Sequence, residues 1–187
     1  MTGPFRNRRF TPVPPDQRPR RHRSAARVLV TDGEAVLLLA DTDPGIPGSR
    51  WWTTPGGGIE PGEGPRTTAV RELAEETGLQ VVPDDLIGPV AVREAVYGYS
   101  DQILSQREWY FVLFTDRFEV ANTNLTEDER ITLAGHGWLP LDGLAELPDP
   151  VRPTGLVGLL DLVPFPERWP LDLGEVEEST LPVDSGR

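Results

Sequence analysis

The run Pro65-Arg66-Thr67-Thr68-Ala69-Val70-Arg71-Glu72-Leu73-Ala74-Glu75-Glu76-Thr77, followed by Gly78-Leu79, reads as one helix with its stop signal. Pro65 suits the first helical turn, where its missing N–H removes no bond, and Gly78 suits the residue just past the end. Glu72, Glu75 and Glu76 stand at i, i+3 and i+4, so their carboxylates share one face. Val70, Leu73, Ala74 and Thr77 cover the other side and are expected to pack on a sheet. Arg71 lies one turn before Glu75 and is placed to pair with it. Three carboxylates this close repel one another. A face of this kind is most often simply solvated. A divalent cation would instead convert the repulsion into binding, and an all-oxygen donor set suits Mg2+ or Mn2+.

Immediately upstream, residues 55–64 hold five glycines and two prolines, with Glu63 near the helix start. Such a backbone turns tightly and approaches ligands closely. Its carbonyls are available to a metal, and the N-terminus of a helix favours anions. A loop fitted to phosphate therefore stands beside a helix fitted to a divalent ion. That pairing suits attack on a phosphate chain, in which metals screen charge and activate water.

These residues resemble the signature of the Nudix hydrolases: Gly57, five residues, Glu63, seven residues, then Arg71-Glu72-Leu73-x-Glu75-Glu76-x-Gly78-Leu79. Every fixed position is filled. The lead-in Trp52-x-x-Pro55-Gly56-Gly57-Gly58, and Trp138 ahead of residues 141–147, also look like the family's surroundings. The resemblance covers about residues 25–147. It implies an α/β fold, an α/β/α sandwich around a mixed central sheet, and cleavage of a pyrophosphate linkage in a nucleoside diphosphate derivative or nucleoside triphosphate. It implies that Glu72, Glu75, Glu76 and the Gly56 carbonyl hold Mg2+ or Mn2+. It further implies that Arg71, with Glu63, orients the carboxylates. The general base varies within the family, being a box glutamate such as Glu72 or Glu76 or an acid on a later loop. Of Glu127, Asp128 and Glu129, the position of Glu127 between a long strand and Trp138 favours Glu127. Arg50, Trp51, Trp52, Gly57 and Gly58 are expected to contact substrate, the tryptophans by stacking on a base. Tyr97, Tyr99 and Arg107 are further pocket candidates, and Trp138 is expected in the core. His22 and His136 lack a second His or Cys partner and are given no metal. Asp41 and Asp43 read as loop acids.

Composition sets the outer bounds. The 187 residues are enough for one domain with a real core. With 37% hydrophobic and 26% charged residues the chain suits a globular protein, and its 20 prolines favour loops and short elements over a helical bundle. No Cys and no Lys occur, which excludes disulfides, thiolate chemistry and a Schiff base. The net charge of −12 hides an asymmetry: residues 1–27 carry eight of the 18 arginines and one acid, Asp16. An acidic body of this kind repels nucleic-acid backbones. No apolar run approaches the roughly 20 residues a membrane span needs, and the N-terminus lacks the apolar block of a signal peptide. A cytoplasmic enzyme acting on a nucleotide-like small molecule is expected, with nucleic acid an unfavoured partner and a homodimer consistent with related folds.

Along the chain, residues 1–24 read as an Arg/Pro-rich tail, 25–163 as the catalytic domain and 164–187 as a Pro-rich acidic extension without regular structure. Strands are expected at 25–31, 35–40, 51–54, 87–99, 108–119 and 138–141. The first two form a hairpin about Asp32-Gly33. A helical turn is expected at 127–133, and short helices at 142–147 and 153–163. Three rival functions are compatible with such a fold: an isomerase, a nucleotide-binding regulator that does not cleave, and an RNA-end-processing protein using the arginine-rich tail.

Overall fold

The computed structural model describes residues 8, 10–121 and 125–183. Nine strands and two α-helices occur among them: β1 (Arg20–Thr31), β2 (Ala35–Asp41), β3 (Trp51–Thr53), β4 (Gly56–Gly58), α1 (Pro65–Thr77), β5 (Ile87–Gly98), β6 (Ile103–Phe114), α2 (Glu127–Thr132), β7 (Leu133–Pro140), β8 (Val151–Arg152) and β9 (Leu171–Glu177). The sheet is mixed and runs β8-β3-β2-β1-β6-β5-β9, with β4 also on β1 and β7 also on β2. β1 lies parallel to β6 from Arg20↔Ile103 to Thr31↔Phe114. Its other edge is shared. β4 takes Ala25 to Arg27 and β2 takes Val30 and Thr31, both antiparallel. The hairpin at Asp32-Gly33 is present. Asp32 accepts the N–H groups of Glu34 and Ala35 at 2.9 and 2.7 Å, and Gly33 supplies the positive φ of 96° that the turn requires.

Alternation along β1 explains the layering, since successive side chains point to opposite faces. Val28 and Val30 meet Ala69 and Leu73 of α1, together with Leu37 and Phe111. Leu29 faces the other way, against Leu144, Leu156, Leu159 and Leu162. With both faces covered, the central strands read as nearly unbroken apolar runs. The α/β class and mixed sheet are those the sequence implied. α1 keeps the expected bounds, and Gly78 closes it at φ 76° with its N–H on Ala74 O.

Several elements differ from the sequence reading. Residues 153–163 form a 3-10 helix, Leu156–Leu162, instead of an α-helix. The reason is visible in the spacing: Leu156, Leu159 and Leu162 recur every three residues, the period of the tighter helix. β1 begins at Arg20, inside the stretch read as tail, because the ladder to β6 orders five polar residues that have no strand pattern of their own. β6 spans Ile103–Phe114 instead of 108–119. β7 begins at Leu133, well ahead of Trp138. Leu171–Glu177, read as irregular, adds a parallel edge strand to β5. No helix among the described residues is long and apolar enough to cross a membrane.

Candidate active site

β4 places the glycines. Pairing Ala25↔Gly58, Ala26↔Gly57 and Arg27↔Gly56 lays them flat on β1, with the end of α1 above. Gly56 has φ 137°, and a Cβ there would sit 2.1 Å from Ala26 O. A Cβ on Gly57 would sit 2.5 Å from Glu72 Oε1. The Gly56 N–H donates to Glu76 Oε2 at 2.7 Å, tying loop to helix. Gly57→Ala is therefore expected to push Glu72 aside and cut turnover by about 10- to 100-fold, the usual effect of misplacing a supported ligand. Gly64→Ala, which meets nothing within 4 Å, is expected to behave as the parent. Equal kcat/KM for both variants would remove the contact argument.

Of the three box glutamates, the fold brings Glu72 and Glu76 together, and α2 supplies a third acid. Carboxylate oxygens of Glu72, Glu76 and Glu129 all lie within 4.8 Å of one another. Glu75 borders the same cleft but accepts from Arg71 at 3.1 Å and stands outside that trio. Glu127, favoured by the sequence reading, is exposed and does not border the cleft. The local sequence explains the exchange. Thr126-Glu127-Asp128-Glu129 is a capping box, with Thr126 Oγ1 accepting from Glu129 N and Glu129 Oε2 accepting from Thr126 N at 2.6 Å. That reciprocal pair turns Glu129 back over the helix start and leaves Glu127 facing solvent.

Arg71 braces the helix face. It reaches both oxygens of Glu63 at 2.9 Å, Glu72 Oε1 at 2.7 Å and Gly58 O at 3.1 Å. Hydrogen bonds from Arg71, then Thr68, hold the Glu63 carboxyl down at about 2. Burial, opposed by Arg71, raises Glu72. Burial and then the adjacent Glu72 raise Glu76 well above the ordinary carboxylate value, against the Gly56 N–H and Arg27.

These acids form one end of a cleft of about 910 Å³, which opens where the shared edge of β1 divides between β4 and β2. Gly56, Gly57 and Gly58 border it. Trp51 does as well, whereas Trp52 points to the opposite side of β3 and packs on the core. Arg50 is exposed, over Trp52 at 5.1 Å and paired with Asp149 at 3.4 Å. Tyr97 and Tyr99 border the cleft; Arg107 is exposed and paired with Glu94. Asp43 is no free loop acid: buried, it accepts from Ser100 N and Oγ at 2.7 and 2.6 Å.

The cleft floor carries polar residues that the sequence reading did not single out. Arg27 donates to Gly56 O at 2.7 Å and lies 3.6 Å from Glu108. Glu108 is wholly enclosed and accepts from Arg93 at 2.7 Å, Tyr97 at 2.9 Å, Gln106 at 2.6 Å and Tyr110. Burial alone would raise its pKa, but Arg27 and Arg93 outweigh that and hold it below the ordinary value. Arg93 also grips both oxygens of Glu178, at 2.9 and 2.8 Å. Charged residues at 27, 93 and 108 inside largely apolar strands were the available signal.

On this mixed, two-sided sheet the glycine-led helix and α2 converge on one cluster of acids. A model of the NUDIX domain matches residues 21–157, more than half of the chain, and the protein belongs to the Nudix family. An uncharacterized Nudix hydrolase, YvcI, of Bacillus subtilis is 30% identical over 122 residues, spanning 65% of this chain and 67% of the relative. An RNA pyrophosphohydrolase of Agrobacterium fabrum is 32% identical over 157 residues, spanning 70% of this chain and 85% of the relative. Among solved structures, the NUDIX domain of Shewanella oneidensis NrtR complexed with ADP ribose aligns with TM-score 0.54 at 17% identity, covering 75% of this chain and 87% of that one. The MutT protein of Bacillus halodurans aligns at 0.52 and 22%, covering 74% and 80%. At these identities the two structures share the fold.

Proposed function

We propose that this protein is a divalent-metal-dependent hydrolase that cleaves the pyrophosphate linkage of a nucleoside diphosphate derivative or a nucleoside triphosphate. The observation that carries the reading is the convergence of Glu72, Glu76 and Glu129 within 4.8 Å beside Gly56. Burial first, and neighbouring acids after it, raise Glu72 and Glu76, a cost that a bound cation would offset. Glu72, Glu76 and Glu129 would hold Mg2+ or Mn2+. The Gly56 carbonyl, which already accepts one hydrogen bond from Arg27, keeps a second lone pair for the ion. When bound, such an ion screens the diphosphate and lowers the pKa of water.

The chain's own residues do the rest. Arg71 and Glu63 hold the helix face in register, and Glu75 completes the shell around it. Arg23 and Arg27 border the cleft beside Gly58 and Gly56, where their guanidinium groups would favour the developing charge. Glu129 takes the place proposed for Glu127 as proton acceptor from the attacking water, since it alone among the α2 acids reaches the Glu72–Glu76 pair. Trp51, with Tyr97 and Tyr99 near it, supports a base or sugar.

RNA-end processing is the second reading. Its support is that several relatives carry the name RNA pyrophosphohydrolase and that arginine is the main cation of this cleft. The deciding experiment incubates nucleoside triphosphates, dinucleotide-type diphosphates and 5′-triphosphorylated RNA with Mg2+ or Mn2+ in 18O water and identifies products by mass. Label in a released monophosphate or pyrophosphate is expected. No cleavage of any compound with either metal would refute the hydrolase reading.

A further inference from the structure

Four arginines border the cleft, and they divide by what neutralises them. Arg8 pairs with Asp101 at 2.6 Å, and Arg27 stands 3.6 Å from Glu108. Among the described residues, Arg23 and Arg152 have no carboxylate within 4 Å. Arg23 is half-buried and spends its Nε on Gln106. Arg152 is only 6% exposed. Its Nη2 donates to Thr180 Oγ1 at 3.2 Å, while its Nη1 is buried without any hydrogen bond. The guanidinium lies over Trp51 at 4.5 Å and 5.4 Å from Tyr97, so its charge is walled by aromatic faces.

A buried, permanently charged guanidinium normally finds a carboxylate, and a buried donor normally finds an acceptor. Arg152 has no carboxylate and its Nη1 has no acceptor, although it borders a cleft that seven acids also line, among them Asp41 and the Glu72, Glu76 and Glu129 cluster. Its planar fork matches phosphate or carboxylate oxygens, and aromatic walls strengthen such a bond by excluding water. We infer that Arg152 is the anchor of a second anion subsite, which takes a phosphate or carboxylate of the substrate separate from the diphosphate held at the acid cluster. The substrate assignment rests on the hydrolase reading above; the anion site itself does not. Part of the setting of Arg152 lies past the family-matched segment, whereas Trp51 and Tyr97 lie within it. Thr180 touches its Nη2, and Glu178 accepts from Thr154 N at 2.6 Å, two residues along.

The test uses the full-length protein in EDTA, titrated at constant ionic strength with inorganic phosphate or with acetate, and follows the Trp51 indole N–H by NMR. A saturable shift is expected with the anion class the site takes; phosphate alone points to a phosphoryl group, acetate alone to a carboxylate. Arg152→Met abolishes it, and Arg152→Lys keeps it with affinity about tenfold lower. A shift that does not saturate, or that survives unchanged in Arg152→Met, overturns the subsite. Should Arg152→Met not fold, wild-type affinity in Arg152→Lys does the same. A kinetic arm compares ATP with a 5′-triphosphorylated dinucleotide, which adds one distal phosphate. Arg152→Met is expected to raise KM about tenfold more for the dinucleotide than for ATP. An equal KM change for both compounds overturns the distal placement. Loss of the phosphate shift in Arg152→Met with neither compound cleaved by the parent leaves the subsite standing and removes the hydrolase reading instead.

Discussion

Glu76→Gln is expected to lose roughly 10²- to 10⁴-fold in kcat, the range for removing an essential acid–base or ligand group, while melting no lower than the parent protein. The amide oxygen retains the acceptor for the Gly56 N–H, so the loop stays tied to α1. The charge it removes is one that burial and the neighbouring Glu72 already resist. A carboxyl whose folded pKa is raised weakens the fold as pH climbs from its unfolded value toward its folded one, so an amide relieves that penalty at neutral pH. Mg2+ or Mn2+ should raise the melting temperature of the parent more than that of Glu76→Gln, since binding to the native state stabilises by mass action. Turnover of the α2 variants separates the remaining acids: Glu129→Gln should fall with Glu76→Gln, and Glu127→Gln should remain at the parental rate. Near-parental kcat in Glu76→Gln with metal present would dispose of the site assignment.

Glu108→Leu is expected to destabilise the protein by roughly 3–5 kcal/mol, the typical result of leaving buried cations without their partner. Arg93 would retain Glu178, but Arg27 would lose its nearby carboxylate, and Tyr97, Gln106 and Tyr110 would lose their shared acceptor. Against the 5–15 kcal/mol that holds a typical domain together, the loss is a large fraction. Denaturant unfolding measures it as a shift of the midpoint. A shift equivalent to less than about 1 kcal/mol would mean that the surrounding groups find water or one another, and that the network beneath the cleft is not structural. Because Arg27 also holds Gly56 O, activity per folded molecule should drop in the same variant.

What could be read from the chain alone is what depends on neighbours a few residues apart. Helix period places Glu72, Glu75 and Glu76 on one side, Pro65 and Gly78 mark the ends of α1, and the Asp32-Gly33 turn closes a hairpin. Each follows from backbone geometry that 13 or fewer residues impose on themselves, and the complete box adds the family. The capping box at Thr126 and Glu129 was equally local; read as such, it would have selected Glu129 over Glu127.

Other features had no local origin. Trp51 and Trp52 are adjacent and chemically identical, and only the orientation of β3 against β2 sends one to the cleft and the other to the core. Arg152 meets Thr180, and Thr154 meets Glu178, because β8 and the segment after β9 are brought together from opposite edges of the sheet. Arg20 to Ser24 become strand through a ladder to residues about 80 positions away. Short-range spacing specified the glutamate-bearing helix, since covalent geometry fixes which side chains are neighbours within a turn. Selection among the aromatics and arginines fell to long-range strand pairing, which no window of the chain contains.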